Sequence, residues 1–296
     1  MKKNGSRVFW LTVVALVYIA SLILGIWLFN RFYERFGIYL SILIADVIAT
    51  VFVFMFSLIF RNASVYDPYW SVQPPVILIS LLCFGGASLH TVALAAAVGC
   101  WAVRLTANWI YNFHGLDYQD WRYKMLKEKT GIFYPAVNLL GIHMFPTLVV
   151  YACVLPGIHL CAAVKSNPGM EMPLWTLVFC LLIVLATVLQ GVADIQMHRF
   201  RAQKSGGLMR EGLWKNARHP NYLAEISIWW LVALFSFFSC GMPWYFFAGA
   251  FANMLMFIFI SVPMAENRQK QKVGEEVFSA YKKQTRMFLP IPKKAV

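Results

Sequence analysis

The sequence predicts an all-α, polytopic membrane bundle of seven or eight transmembrane helices, and three observations predict it. The 296 residues are 60% hydrophobic and only 13% charged, too little charge to cover the surface of a soluble domain of that size. Mean hydropathy is +0.61, and apolar runs close to the ~20 residues needed to cross hydrocarbon recur along the chain. The basic residues are also distributed unevenly between those runs, as the positive-inside rule requires.

In chain order the expected spans are residues 8–29, 37–60, 75–85, 90–111, 139–164, 173–193, 226–240 and 244–262. Two of them, 75–85 and 226–240, are short enough to be half-spans. Met1-Lys2-Lys3 resembles the basic start of a signal peptide, but the long apolar stretch after it has no small-x-small cleavage site, so a retained first helix is expected. No internal repeat or low-complexity linker breaks the chain. A single integral membrane domain over 1–296 follows, with its cofactor-binding part at approximately 190–290.

With eight spans, one side holds Arg31, Arg35 and Lys165, while Arg104 lies within a span. The rest of the 26 Lys and Arg fall on the other side. That side is therefore cytoplasmic, with both termini on it, and a bacterial inner membrane is the expected location. The net charge of +13 is accounted for by this orientation and by contact with membrane lipids, so a nucleic-acid partner is not expected. Six scattered cysteines without a CxxC pair suggest neither a disulfide framework nor a zinc site. The six histidines form no HExxH or i,i+4 pair, and no G-x-G-x-x-G opens a βαβ unit, so no metal and no Rossmann fold is expected.

Two basic-side loops, 112–134 and 194–224, are too long and too rich in aromatics to be plain connectors. Ionisable groups within spans are the other signal, because each costs at least ~2.5 kcal/mol at the bilayer centre. Asp46, Arg104 and Glu225 are such groups, and Asp67 lies in the interfacial run Tyr66-Asp67-Pro68-Tyr69-Trp70. For Asp46 a structural pairing is open, and for Arg104 so is snorkelling towards the basic side.

The run Arg218-His219-Pro220-Asn221-Tyr222-Leu223-Ala224-Glu225 carries the chemistry. Pro220 suits the first turn of a helix, whose free N–H groups would face the basic side, ready for a phosphate or carboxamide. Asn221 and Glu225 are four apart and share a helical face. Arg218 and His219 stand just outside, within reach of phosphate oxygens. Upstream, Asp194, His198 and Arg201 form a polar stripe on a helix leaving the bilayer. Together these groups suit a polar, anionic ligand at the membrane surface.

The run Gly212-Leu213-Trp214 … Arg218-His219-Pro220-Asn221-Tyr222 … Glu225 resembles the signature of the steroid 5-alpha-reductase superfamily, most closely its uncharacterised bacterial branch. Asp194 … Arg201, Asp67-Pro-Tyr-Trp70 and the tail Tyr281 … Phe288-Leu289-Pro290 fit as well. The resemblance implies a seven-helix membrane fold holding NADPH with its C-terminal helices and cytoplasmic loops. It assigns cofactor binding to Arg104, Asp194, Arg201, Asn221 and Glu225, and Arg218, His219 and Tyr222 of the same run are expected to join them. It assigns the substrate-side carboxylate to Asp67. Trp101 stands where the family has a catalytic Tyr, with Tyr66, Tyr69 or Tyr111 as substitutes, and Glu266 is the nearest counterpart of a family His.

The activity so implied is hydride transfer from NADPH to an activated C=C of an apolar lipid or steroid-like enone. A hydrogen-bond donor at the carbonyl oxygen lowers that barrier, a role for Asp67 with a neighbouring Tyr. The substrate would enter laterally between helices. Isoprenylcysteine and phospholipid methyltransferases look similar here, sharing Arg-His-Pro-x-Tyr and a tail like Glu266 … Gly274-Glu275-Glu276 … Tyr281 … Pro290, and they bind S-adenosylmethionine. Asn221, Glu225 and the Asp194/Arg201 stripe lean towards the reductases. A non-enzymatic lipid-binding or transport protein is the third possibility, with Asp46 and Arg104 marking a path.

Overall fold

The computed structural model describes residues 2–203 and 206–293. Every regular element among them is helical, apart from an isolated bridge between Ala217 and Arg286. Seven helical stretches are long and apolar enough to cross a membrane.

The first, α1 (Lys2–Ile59), is a hairpin. Gly37 adopts φ 70°, ψ 179°, a conformation that disfavours any side chain, and breaks the helix there. Trp10 and Phe60 consequently meet edge to face with ring centroids 5.5 Å apart; a straight helix would separate them by about 75 Å at 1.5 Å per residue. The two limbs match the expected spans 8–29 and 37–60, so the first of the seven stretches holds two limbs of spanning length.

Helix α2 (Tyr69–Leu81) corrects the sequence expectation of a short span at 75–85. Pro74 and Pro75 read as a helix start but lie inside it. Each removes one i→i−4 bond, and packing against α3 (Leu89–Asn112) and, later in the chain, α6 (Phe145–Ser166) holds the helix nonetheless. With its flanking turns it forms a 24-residue span, Ala63–Gly86. The other short run is likewise a full helix.

The loop 112–134 folds into α4 (Trp121–Thr130), capped by the Asp120 carboxylate accepting from the Arg122 N–H at 2.9 Å. After α5 (Tyr134–Val137), a π-helical segment Asn138–Met144 leads into α6. Helix α7 (Leu177–Ala202) carries Asp194 and Arg201 on its last turns, so the loop expected from 194 onward begins only after Ala202. Helix α8 (Pro220–Cys240) starts with Pro220 in its first turn, as the sequence implied. Helix α9 (Ala248–Met256) continues through a second π segment, Phe257–Ser261, into α10 (Val262–Val273) and α11 (Glu275–Gln284).

The core lies between α3, α6 and α8, around the fully buried Leu94, Trp101, Ile158, Trp229 and Phe235. Gly249 of α9 sits so close to α6 that an added Cβ would collide with the Ala152 carbonyl. Gly249→Ala is therefore expected to cost about 1–3 kcal/mol through forced separation of the helices, seen as a lower Tm of the detergent-purified protein.

The bundle has two distinct ends. The Lys165 ammonium lies over the rings of Phe84 and Tyr33, at 3.2 and 4.8 Å from their centroids, near the bend that carries Arg31 and Arg35. At the opposite end Ser6 donates to Asp117 at 2.9 Å, and Arg268 of α10 lies 4.4 Å over the Trp121 ring. The described N- and C-terminal stretches thus share the end that bears the two patterned loops.

Candidate functional site

At that end a cavity of about 490 Å³ opens between the start of α2 and helices α3, α4, α7, α8 and α9. Its deepest polar group is Glu225, on the second turn of α8. Glu225 is buried and accepts three hydrogen bonds: from Trp101 Nε1 (2.9 Å), Gln190 Nε2 (2.7 Å) and Trp229 Nε1 (3.1 Å). All three donors are neutral, and no ion pair to Glu225 is found among the described residues. Trp101 is thereby explained: at the position where the resembled family has a Tyr, its indole is fully buried and serves the Glu225 carboxylate.

Asn221, one turn before Glu225, lines the same wall and leans on Asp194. Asp194 also pairs with Arg104 from α3, which ties the two helices together by an ion pair. Further along α7, His198 Nε2 and Asn108 Oδ1 are 2.7 Å apart, turning the polar stripe towards α3. Arg201 lies within electrostatic reach of Asp194, Tyr222 and Arg268.

Several buried polar atoms on these walls have no hydrogen-bond partner: Gln190 Oε1, Asn221 Oδ1, Asn253 Oδ1, Arg104 Nε and Arg104 Nη2. Buried polar groups are almost always paired, so a concentration of unpaired ones along one cavity marks the place where a polar, planar ligand fits. The three amide oxygens suit a ligand's N–H groups, and the guanidinium suits an acceptor.

Nearer the mouth stand Tyr66, Asp67, Arg122 and Tyr123. The Tyr123 hydroxyl donates to Asp67 Oδ1, and Arg122 approaches the same carboxylate oxygen at 3.9 Å. Tyr66 stacks on Tyr69 with centroids 5.3 Å apart, but its hydroxyl is engaged with Thr147 Oγ1 at 2.8 Å.

The structure corrects four of the sequence assignments. Tyr69 lies outside this cavity, because its hydroxyl donates to Asp46 at 2.9 Å on the far side of α2. Tyr111 is exposed on the outer surface of α3, against His198. Arg218 cannot reach a phosphate: it is buried and donates to Glu266 Oε1 (2.7 Å) and the Thr285 carbonyl (2.8 Å). His219 Nε2 meets the same Glu266 oxygen at 3.3 Å, and burial pushes its pKa below the ordinary imidazole value. Its role is to support the cavity wall, stacking on Tyr222 at 5.0 Å and 7°. The start of α8 is equally occupied. The Arg218 and His219 N–H groups bond the carbonyls of Arg286 and Met287, and those of Tyr222 and Leu223 bond the His219 carbonyl.

Gln190, Asn253, Arg122 and Tyr123 join the site without having been picked out as site residues from the sequence. Helical spacing contained two of the missed groups. Gln190 is four residues before Asp194, and Trp229 is four after Glu225, each on the face already marked.

Residues 53–285 match the model of a family described as "Protein of unknown function (DUF1295)", a stretch that includes every residue of this cavity. The uncharacterized protein C594.04c of Schizosaccharomyces pombe is 26% identical over 227 residues, covering 67% of this chain. The match covers 63% of that relative's own length. No solved structure matches the chain.

Proposed function

The chain belongs to the DUF1295 family, and we propose that it is a membrane-embedded, NADPH-dependent reductase similar to the steroid 5-alpha-reductases. Its substrate is the activated C=C of an apolar, steroid-like or other lipid enone. The observation that carries this reading is convergence: Arg104 of α3, Asp194 of α7 and Asn221, Tyr222 and Glu225 of α8 line one cavity together with Asp67.

The residues present fit the cofactor. The unpaired oxygens of Gln190, Asn221 and Asn253 complement the N–H groups of a carboxamide, and Arg104 complements its carbonyl. Arg122 brings positive charge to the lining, and Arg201, outside it, stands within electrostatic reach of the lining residues Asp194 and Tyr222, a charge that suits phosphates. NADPH, when bound, supplies the hydride. The chain supplies the electrostatics at the other end of the reacting system. With Asp67 in its acid form and Tyr123 donating to its Oδ1, the Asp67 O–H is the donor this pair presents to a substrate carbonyl oxygen, where negative charge builds as the C=C is reduced. The basic end faces the cytoplasm in this reading, of a bacterial inner membrane, so the cofactor enters from water and the substrate from the bilayer.

The S-adenosylmethionine methyltransferase reading has one observation on its side, the buried Glu225 carboxylate bonded by neutral donors alone, which would suit a sulfonium. The clustered arginines favour a ligand with more phosphate.

Thermal-shift titration of the detergent-purified protein separates the two. Stabilisation by NADPH is expected, weakened in Asn221→Leu; stabilisation by S-adenosylmethionine alone would overturn the reductase. With an enone substrate in hand, Asp67→Asn is expected to lower kcat by about 10²–10³-fold without altering NADPH affinity. Unchanged turnover would remove Asp67 from the mechanism.

A further inference from the structure

A second cavity, of about 560 Å³, lies on the other side of α2, enclosed by the two limbs of α1 and the outer face of α2. Its size is that of a site for one small organic molecule. Leu22, Ile26 and Ile79 are exposed along its edge, so it opens sideways to the bilayer. The wall from Tyr18 to Ala49 lies outside the stretch matched by the family model.

Most of the lining is apolar; Ser21, Asn30 and Ser80 add single polar groups, and Asp46, Tyr69 and Gln73 form a buried polar cluster. Asp46 accepts from the Tyr69 hydroxyl at 2.9 Å and from Gln73 Nε2. The Tyr69 hydroxyl and one N–H of Gln73 are thereby engaged, while Gln73, only 6% exposed, keeps its Oε1 unpaired. From Gln73 the cavity extends along α2 as far as Phe84, about 16 Å at 1.5 Å per residue.

We propose that this cavity is a binding site for an apolar alcohol drawn from the bilayer, its hydroxyl donating to Gln73 Oε1 beside Asp46. A ketone, ether or hydrocarbon of the same skeleton has no O–H to give and leaves the buried amide oxygen unpaired. The site is built from groups that the reductase reading does not use and stands without it.

The test is photolabelling in phosphatidylcholine nanodiscs with a diazirine-bearing hexadecanol, and with its methyl ether as the matched probe. Saturable labelling by the alcohol is expected within residues 18–49 and 69–84, competed by hexadecanol and not by hexadecane. Gln73→Leu is expected to lower it by about 10-fold, one hydrogen bond's worth. Gly25→Phe is the independent variant. A Cβ at Gly25 meets nothing within 4 Å, so the ring enters the cavity without disturbing the limbs, and labelling is expected to vanish while Tm is maintained. Equal labelling by alcohol and ether, or labelling that survives Gly25→Phe, would overturn the proposal in favour of bulk lipid filling the space.

Discussion

Glu266→Ala is expected to lower stability by about 3–5 kcal/mol, the effect of removing one partner from a buried ion pair. The Glu266 carboxylate receives Arg218, His219 and Lys282, and without it the Arg218 guanidinium remains buried and uncompensated. The damage spreads, because Arg218 also bonds the Thr285 carbonyl. Its backbone and that of His219 pair with Arg286 and Met287. Thermal unfolding in detergent reads the loss, and limited proteolysis is expected to show faster cleavage after α11. Glu266→Gln, which keeps an acceptor, is expected to retain part of the stability. At a temperature where Glu266→Ala remains folded, its NADPH affinity should stay close to that of the parent. A loss as large as that of Asn221→Leu would return Arg218 and His219 to the binding site.

The second large effect is expected at Glu225, where two substitutions separate folding from binding. Glu225→Leu strands the Trp101, Gln190 and Trp229 donors in the core. At ~1–3 kcal/mol for each unsatisfied group, that approaches the whole stability of an ordinary domain. No folded protein is expected from this variant on size exclusion. Glu225→Gln keeps the shape and one accepting oxygen but turns an amide N–H₂ towards donors. It is expected to fold with a lower Tm and to bind NADPH at least 10-fold more weakly. Full NADPH affinity in Glu225→Gln would mean that the carboxylate serves only to hold the tryptophans.

Much of this was legible in the sequence because apolar length and charge placement are one-dimensional quantities. The limbs of α1 follow from two runs of spanning length, and the start of α8 from Pro220, whose missing N–H does no harm in a first turn. Arg104, Asp194, Asn221 and Glu225 stood out because polar groups in apolar helices need a reason to be there. What stayed hidden depends on which way a side chain turns. Arg218 beside Asn221 reads as part of the same patch, yet it turns into Glu266, a residue 48 positions away. Tyr69 and Tyr66 are three apart and their rings stack, yet one hydroxyl finds Asp46 and the other Thr147, and only Tyr66 lines the site cavity. Tyr123 was inconspicuous for the opposite reason. It lies in a polar loop, where a tyrosine is unremarkable until α4 folds it back over Asp67.

The π-helical segments next to the cavity have a consequence of their own. Asn138–Met144 contributes Ile142 to the lining, and Phe257–Ser261 contributes both of its terminal residues. A π turn is a helix carrying one residue more than its hydrogen-bond ladder requires, a feature frequent at functional sites. Each such residue advances everything beyond it by about 100° of rotation. The chain therefore holds a phase offset between the membrane-buried and water-facing parts of these two helices. The buried part can keep its packing while the other presents a different face to the ligand, so a one-residue insertion or deletion re-aims one half of the helix without redesigning the other.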